Sequence, residues 1–263
     1  GAAMYFNHRG STKPLIDHCT LYRHTGVAVS AYYDDLITVT NCIVMDVQSA
    51  NVFSVPGSTI NISETLIFAT GDIFSDKAKD MGGNLFSDPS FVDAPNGDFR
   101  LFADSPALDA AVDGSDLGAF PDTVAVPVPT PTSYYVRTDG SDSNDGLSDA
   151  PAGAFLTIQK AASVIDQGDI VLVGAGAYAG QVTVTKGGSA TVPTTFRATG
   201  AVTLDGAVNG FRLTDVHNVD LSGFEVFSGS DHGFLLDNAS GCVITNCIGR
   251  NNAKDGIYFL RSP

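Results

Sequence analysis

The sequence predicts an all-β protein folded as a parallel β-helix, a solenoid in which short strands stack coil upon coil. Three observations support this prediction. Short segments of alternating apolar and polar residues recur at one fixed interval, which separates Cys19 from Cys42 and also Phe224 from Cys247. The chain carries 28 glycines, which suit tight turns between strands, and few long helical patterns. We call the fixed interval the period; it favours stacked strands over a leucine-rich repeat, whose leucine lattice is absent.

The repeat occurs in both halves of the chain. In the N-terminal half the matching segments are 15–21, 38–44 and 61–67, with 26–29 in a companion series. In the C-terminal half they are 221–226 and 244–249, with 233–236 and 256–259 as the companion pair. Each segment has the length of one or two short β-strands, so both halves are predicted to be parts of a coil.

A proline-rich stretch separates the two halves. Pro127, Pro129 and Pro131 lie close together, and proline lacks a backbone donor, so an extended spacer is favoured. An edge strand that carries prolines is the alternative. The predicted division has three parts: 1–122, a linker at 123–133, and 134–263.

The C-terminal half opens with a recognisable motif. The segment 133–147, followed by 155–162, 167–173 and 175–178, resembles the start of right-handed parallel β-helix proteins of the pectate-lyase-like superfamily. The resemblance implies a short amphipathic helix at 155–166. Its apolar side, formed by Phe155, Ile158, Ala162 and Ile165, is expected to cover the first coil.

The N-terminal half ends with a second motif. The segments 88–101, 105–110 and 116–120 resemble the closing segment of secreted bacterial β-helix proteins. The order is therefore reversed, because a closing part precedes an opening part with its capping helix. Two explanations stay open: the chain is a piece of a longer array or of a protein without its centre, or it is a unit whose open ends are completed by neighbouring copies.

The second explanation predicts assembly. An uncapped end of a β-helix presents unpaired backbone groups and apolar side chains, which invite strand addition. The segment 1–6 resembles the strand type of 256–259. A head-to-tail contact that does not close into a ring makes a filament, so we predict a structural subunit of an extracellular filament or surface fibre. The expected contact residues are Gly1, Met4, Tyr5 and Phe6 at one end and Ile257, Tyr258, Phe259 and Leu260 at the other.

Charge and composition exclude some functions. A net charge of −15 argues against a general nucleic-acid binder, because nothing supplies the cationic surface that phosphates require. No apolar run approaches the length of a membrane span. The resemblance to secreted proteins implies an extracellular or cell-surface location. The four cysteines are Cys19, Cys42, Cys242 and Cys247, for which buried stacking is expected and a disulfide would require export.

A loop in the C-terminal half gathers hard oxygen ligands. It holds Asp139, Asp142, Asn144 and Asp145 between glycines, a composition that suits Ca²⁺. The loop lacks the glutamate of an EF-hand. A solvated turn, in which Asp, Asn and Gly adopt left-handed backbone, is the alternative to a calcium site.

The resemblance also raises two further functions. Proteins of this superfamily often cleave acidic polysaccharides by β-elimination, with acidic Ca²⁺ ligands and a Lys or Arg base, so the resemblance makes a polyuronate lyase one alternative. A noncatalytic glycan-binding or adhesive module is the other. A solvated outward face is the structural alternative for the polar residues concerned. The candidate residues are Asp231, His232, Arg250, Lys254 and Asp255, with Asn246 and Asn251 beside them, and a second group of Asp17, His18, Arg23 and His24.

Overall fold

The structure is a computed structural model in which the contacts divide the chain into two compact units, Gly1–Pro127 and Val128–Ser262. Both units are built from parallel strands, so the predicted all-β solenoid is confirmed. The predicted linker at 123–133 and the division into two half-helices stay predictions. The described residues are 4–6, 13–31, 36–47, 49, 51–69, 71–75, 77–120, 124–189 and 191–260.

Unit 1 repeats three strands per coil, and each strand joins one of three parallel sheets. The first sheet contains β1 (Met4–Phe6), β4 (Val29–Ala31) and β7 (Phe53–Ser54). The second contains β2 (Leu15–Asp17), β5 (Leu36–Thr40), β8 (Thr59–Ser63) and β10 (Ala78–Asp80). The third contains β3 (Thr20–His24), β6 (Ile43–Val47) and β9 (Leu66–Phe68).

The register between coils of unit 1 reproduces the predicted period. In the second sheet Leu15 lies beside Thr38, and Thr38 lies beside Asn61, so each step to the next coil advances the chain by one period. Every second residue of each strand points inward, so Ile16, Val39 and Ile62 are buried in one cluster. The period predicted from sequence is thus the length of a coil along the second and third sheets, whereas the steps in the first sheet are slightly longer.

Corners between strands repeat with the same period. Left-handed backbone occurs at His18, Asn41 and Glu64, with φ between 43° and 53°. These three residues precede β3, β6 and β9, at the point where the chain leaves the second sheet for the third. Asn is favoured in this conformation because its short side chain can bond locally. His18 therefore occupies a corner position at which a compact polar residue is expected.

The predicted closing segment folds along the side of unit 1. It begins with an antiparallel hairpin of β11 (Phe91–Asp93) and β12 (Asp98–Leu101), joined by a 3₁₀ turn at Ala94–Asn96. Phe91 and Leu117 belong to a cluster with Ile43 and Leu66, which lie on the outward side of the third sheet. The central strand of the third sheet is thus covered on both faces, which explains why every residue of β6 is buried.

Unit 2 has two parallel sheets instead of three, and its longest strands exceed those of unit 1. One sheet contains β13 (Ser133–Val136), β14 (Ile170–Val173), β15 (Gly176–Ala179), β17 (Thr194–Asp205), β19 (Val219–Phe227), β21 (Val243–Thr245) and β22 (Ile248–Arg250). The other contains β16 (Val182–Val184), β18 (Phe211–His217), β20 (Phe234–Ser240) and β23 (Ile257–Leu260). The pairings of Phe211 with Phe234 and of Phe234 with Ile257 again advance the chain by one period.

Phenylalanines fill the interior of unit 2. Phe211 lies at the centre, with ring centroids 4.9 Å from Phe224, 5.9 Å from Phe234 and 6.1 Å from Phe196. All four rings are almost completely buried. Stacked and edge contacts of this kind add to the burial of apolar surface.

The helix is shorter than predicted. It spans α1 (Ile158–Val164), whereas 155–166 was expected. Thr157 is extended, and its side chain accepts a hydrogen bond from the Lys160 amide, so Thr157 is the N-cap. Phe155 instead forms a parallel bridge with Val136 and is part of the coil. The expected apolar side is nevertheless buried against the first strands of unit 2.

We expect Phe211→Ala to lower the free energy of unfolding by about 3–5 kcal/mol, because it removes the central ring and leaves a cavity. The matched control is Phe259→Ala, which removes an exposed ring and should change stability by only about 0.5 kcal/mol. Urea unfolding followed by circular dichroism in dilute solution measures both. Equal losses for the two variants would contradict the packing described.

Candidate functional site

The last coil of unit 2 leaves core positions uncovered. Phe234 and Leu236 of β20 point inward and are almost fully buried. Their partners one coil later are Ile257 and Phe259, which are 46% and 60% exposed. Side chains at positions that form the core in earlier coils therefore face solvent in the last coil that the structure describes.

The backbone of this coil is also unpaired on one side within the described residues. β21, β22 and β23 each lie at the end of their row of strands. Val243 and Ile248 on β21 and β22 are exposed. We call these three strands the open end. An edge of this kind offers both hydrogen-bonding groups and apolar surface to another strand.

The predicted residues Asp231, His232, Lys254 and Asp255 are brought together beside the open end. The His232 Nδ1 atom lies 3.2 Å from Asp255 Oδ2, and Nε2 lies 3.5 Å from Asp231 Oδ1. The Lys254 ammonium is 2.6 Å from Asp231 Oδ1. The imidazole stacks on Tyr258 at 4.4 Å with an angle of 5° between the rings. We call these five residues the His232 cluster.

The charges of the His232 cluster are mutually compensated. The hydrogen bond with Lys254 lowers the pKa of Asp231, and the same contact raises the pKa of Lys254. Lys254 is thus held as a cation, and a general base must be neutral to take a proton. The cluster ties residues 254–258 of the last coil to 231–232 of the coil before it. This arrangement positions the open end.

Arg250 is placed elsewhere. Its guanidinium pairs with Glu225 and lies 4.9 Å from the centre of the Phe227 ring. Glu225 was missed by the sequence reasoning. The signal was present in the period, because Phe227 and Arg250 are register partners in neighbouring coils and Glu225 lies on the same strand as Phe227.

Each of the four residues predicted to bind calcium makes a hydrogen bond or an ion pair within its own part of the protein. Asp142 Oδ1 accepts hydrogen bonds from the Leu156 and Thr157 amides, both at 2.9 Å, and Oδ2 accepts one from the Thr157 hydroxyl at 2.8 Å. Asp139 pairs with Arg137. That pairing lowers the pKa of Asp139.

The other two loop residues bond to the backbone. The Asn144 amide donates to the Pro151 and Ala154 carbonyls, and Asp145 Oδ1 accepts from the Leu147 amide. Within the part of the chain that the structure describes, no group of three or more His, Cys, Asp or Glu side chains could hold a metal ion. Calcium binding at this loop stays a prediction.

The second group of predicted polar residues occupies two separate places in unit 1. His18 lies between Asp17, at 3.0 Å from Nδ1 to Oδ1, and Ser115, at 3.0 Å from Nε2 to Oγ. Arg23 and His24 lie at the far end of β3, and burial lowers the pKa of His24. Ser115 was not among the residues predicted, because it belongs to the closing segment.

The cysteines are free thiols at coil corners. The Cys19 amide donates to Cys42 Sγ at 3.4 Å, which confirms that these residues stack in neighbouring coils. Cys42 and Cys242 each donate to the carbonyl two residues earlier. Burial raises the pKa of both thiols to about 12, so the thiolate is scarce at neutral pH.

Two sets of predicted residues lie partly outside the residues that the structure describes. Gly1 is outside the described residues, and nothing is described of the Tyr5 and Phe6 side chains, although β1 itself is placed. Residue 122, the predicted end of the first part, is also outside.

No protein-family model, curated protein or solved structure matches the chain. The solenoid fold therefore rests on the strand pairings given above. Among the described residues, no helix has both the length and the apolar character needed to cross a membrane.

We expect Asp142→Ala to lower stability by about 1–3 kcal/mol, because three donors at the start of α1 lose a charged acceptor. The matched control is Asp145→Ala, which removes a single accepted bond and should cost about 0.5 kcal/mol. Thermal unfolding followed by circular dichroism measures the difference.

A calcium titration of the same proteins tests the metal prediction. Calorimetry of the unmodified protein should give binding heat that Asp142→Ala removes. Binding heat that is equal in both proteins would place calcium elsewhere, and no heat in either would exclude the site.

Proposed function

We propose that the protein is a structural subunit that assembles head to tail, with the open end of one copy stacking on the residue-1 end of the next. The observation that carries this proposal is the exposure of Ile257 and Phe259 in positions that are core in every earlier coil. Stacking a further coil would bury both side chains. It would also pair the free edges of β21, β22 and β23.

The first coils of unit 1 have strands spaced like those of the open end. β1, β2 and β3 are the terminal strands of their three sheets within the described residues, so each has one free edge. In unit 1, successive strands β2, β3 and β4 begin at Leu15, Thr20 and Val29. In unit 2, strands β21, β22 and β23 begin at Val243, Ile248 and Ile257, with the same offsets between successive starts. Coils with the same strand spacing have compatible outlines, which supports stacking of one on the other.

The two ends also determine what kind of contact the copies make. The ends differ in sequence, so the contact is heterologous and repeats without limit unless it closes into a ring. The net charge of −15 disfavours association through the sides of the coil. The contact at the open end is instead driven by burial of apolar side chains.

We infer further that the protein belongs to the pectate-lyase-like superfamily and acts outside the cell or at its surface. The opening motif at 133–147 and the closing motif at 88–101 support this placement. Both motifs have a clear structural role, the first before the capping helix and the second as the hairpin along unit 1.

A second candidate function, binding of an acidic polysaccharide without cleavage, is favoured by one observation. An open pocket with a volume of about 480 Å³ lies on the outward side of the second sheet of unit 1. Lys77 and Lys79 line it beside Thr59 and Asn61, so two cations and two neutral polar groups face the same space. Cations and hydroxyl or amide groups in one concavity suit a carboxylated sugar.

We expect the unmodified protein to increase in mass with concentration, and Phe259→Asp to stay monomeric, because a buried unpaired carboxylate opposes stacking. The matched control is Leu147→Asp, which adds the same charge at an exposed position in the first loop of unit 2, away from the open end. Sedimentation velocity with negative-stain microscopy measures assembly. A monomer at every concentration, or assembly of Phe259→Asp equal to the unmodified protein, would refute the proposal.

For the second candidate, we expect the double change Lys77→Glu and Lys79→Glu to weaken binding to polygalacturonate about tenfold or more, and added salt to weaken it in the unmodified protein. The control is Lys160→Glu together with Lys186→Glu, which gives the same net charge at positions in unit 2. Surface plasmon resonance on immobilised polysaccharide compares them. Equal affinities would assign any binding to another surface.

A further inference from the structure

We propose that Asp17, His18 and Ser115 form a hydrolytic site in which Ser115 is the nucleophile and neutral acyl esters are the substrates. The three side chains follow one another at hydrogen-bond distance. Asp17 Oδ1 lies 3.0 Å from His18 Nδ1, and His18 Nε2 lies 3.0 Å from Ser115 Oγ. A carboxylate, an imidazole and a hydroxyl in this order activate serine on several unrelated folds, and the set is recognised by geometry.

Asp17 is itself held in place. The Asn41 side-chain amide donates to Asp17 Oδ1 at 2.8 Å, and Asn41 Oδ1 accepts from the Val112 amide at 3.0 Å. Asn41 is buried at the corner one coil above His18. The carboxylate that orients the histidine therefore has a fixed position, which a general base requires. With Nδ1–H directed at Asp17, the Nε2 lone pair faces Ser115.

The closing segment delivers Ser115 to this histidine. The Leu117 amide donates to the Ala107 carbonyl, and the Gly118 amide donates to the Asn41 carbonyl, each at 2.9 Å. The Ala111 amide donates to the carbonyl of Ser115 itself at 2.9 Å. These bonds fix the nucleophile against the coil from both sides. His18 and Ser115 both stay partly open to solvent, so a small substrate can reach them.

One acidic neighbour controls the hydroxyl proton. Ser115 Oγ donates to Asp113 Oδ1 at 2.6 Å, and this bond lowers the pKa of Asp113. A hydroxyl has one proton and rotates freely about its C–O bond. Rotation moves the proton from Asp113 to His18 Nε2 without moving Oγ. Asp113 is thus a competing acceptor in the resting state.

A donor for the developing oxyanion is available in the same turn. The backbone amide of Asp116, the residue after the nucleophile, makes no hydrogen bond within the described residues. In α/β-hydrolases the amide after the nucleophile serves as an oxyanion donor. Such a donor stabilises the tetrahedral intermediate more than the ester.

The surrounding charges select the substrate. Asp17, Asp109, Asp113 and Asp116 lie in the two segments that form the site. This negative field repels uronates and other anions, and it leaves uncharged esters unaffected. The site is therefore suited to an acetyl or similar short acyl ester of a neutral alcohol.

The reaction needs neither a metal ion nor a redox partner. Ser115 Oγ adds to the ester carbonyl carbon while its proton passes to His18 Nε2. The bond from that carbon to the alcohol oxygen then breaks, and His18 returns the proton to the departing alcohol. A water molecule repeats the sequence on the acyl-serine, releasing the carboxylic acid and restoring the hydroxyl.

Two measurements on the full chain test the site. Phenylmethylsulfonyl fluoride followed by peptide mass spectrometry should label Ser115 faster than the exposed Ser163, whose hydroxyl donates to the Lys160 carbonyl. Hydrolysis of p-nitrophenyl acetate should fall by about 10²-fold in Ser115→Ala and in Asp17→Asn. Asp113→Ala should increase the labelling rate, because the competing acceptor is gone.

The outcomes separate this site from a purely structural network and from assembly. If Ser115 is labelled no faster than Ser163 in the unmodified protein, the proposal is overturned, whatever the variants do to folding. Phe259→Asp should retain full esterase activity, so a failure of the filament proposal leaves this test intact. Hydrolysis by Ser115→Ala at the rate of the unmodified protein would equally overturn it.

Discussion

Stacking of one coil on the next is the interaction on which the rest of this protein depends. In many of the parallel pairings a strand has its hydrogen-bond partner one period away, so these strands are not satisfied by their own coil. The same step places apolar side chains in continuous inward rows, as from Phe211 through Phe234 to Ile257. Backbone pairing and core packing are thus satisfied or lost together, coil by coil. A coil with a neighbour on one side only therefore has partners for its backbone groups and its apolar side chains on that side alone.

The corners make this stacking possible. Polar side chains at corners bond to the neighbouring coil, as when the Asn238 amide donates to Asp215 Oδ1 at 2.9 Å. These bonds satisfy groups that the bend removes from the strand ladder. A functional side chain at a corner, such as His18, is consequently held by the register of the whole coil. Left-handed residues one period apart recur as the pairs Arg23 and Asp46, Asp215 and Asn238, and Ser228 and Asn251.

Much of this architecture could be predicted from sequence because it is periodic. The step from Cys19 to Cys42 gave the coil length, and the alternation in 38–44 gave its inward residues. Helix ends were less accessible, since the extended conformation of Thr157 depends on Asp142 and on the bridge between Phe155 and Val136. The contact of His18 with Ser115 spans 97 positions and depends on how the closing segment lies against the coil. No period in the sequence encodes that placement.

The proposed hydrolytic site and the proposed assembly surface use opposite consequences of the same fold. Along the side of unit 1, the closing segment covers the outward face of the third sheet and so brings a serine from a distant part of the chain to a corner histidine. At the end of unit 2, within the described residues, nothing comparable covers Ile257 and Phe259, although the His232 cluster holds that coil in place. An ordered but uncovered coil loses little conformational entropy when a further coil stacks on it. A rigid open end therefore favours a specific contact with one matching surface, whereas a frayed end would favour indiscriminate aggregation.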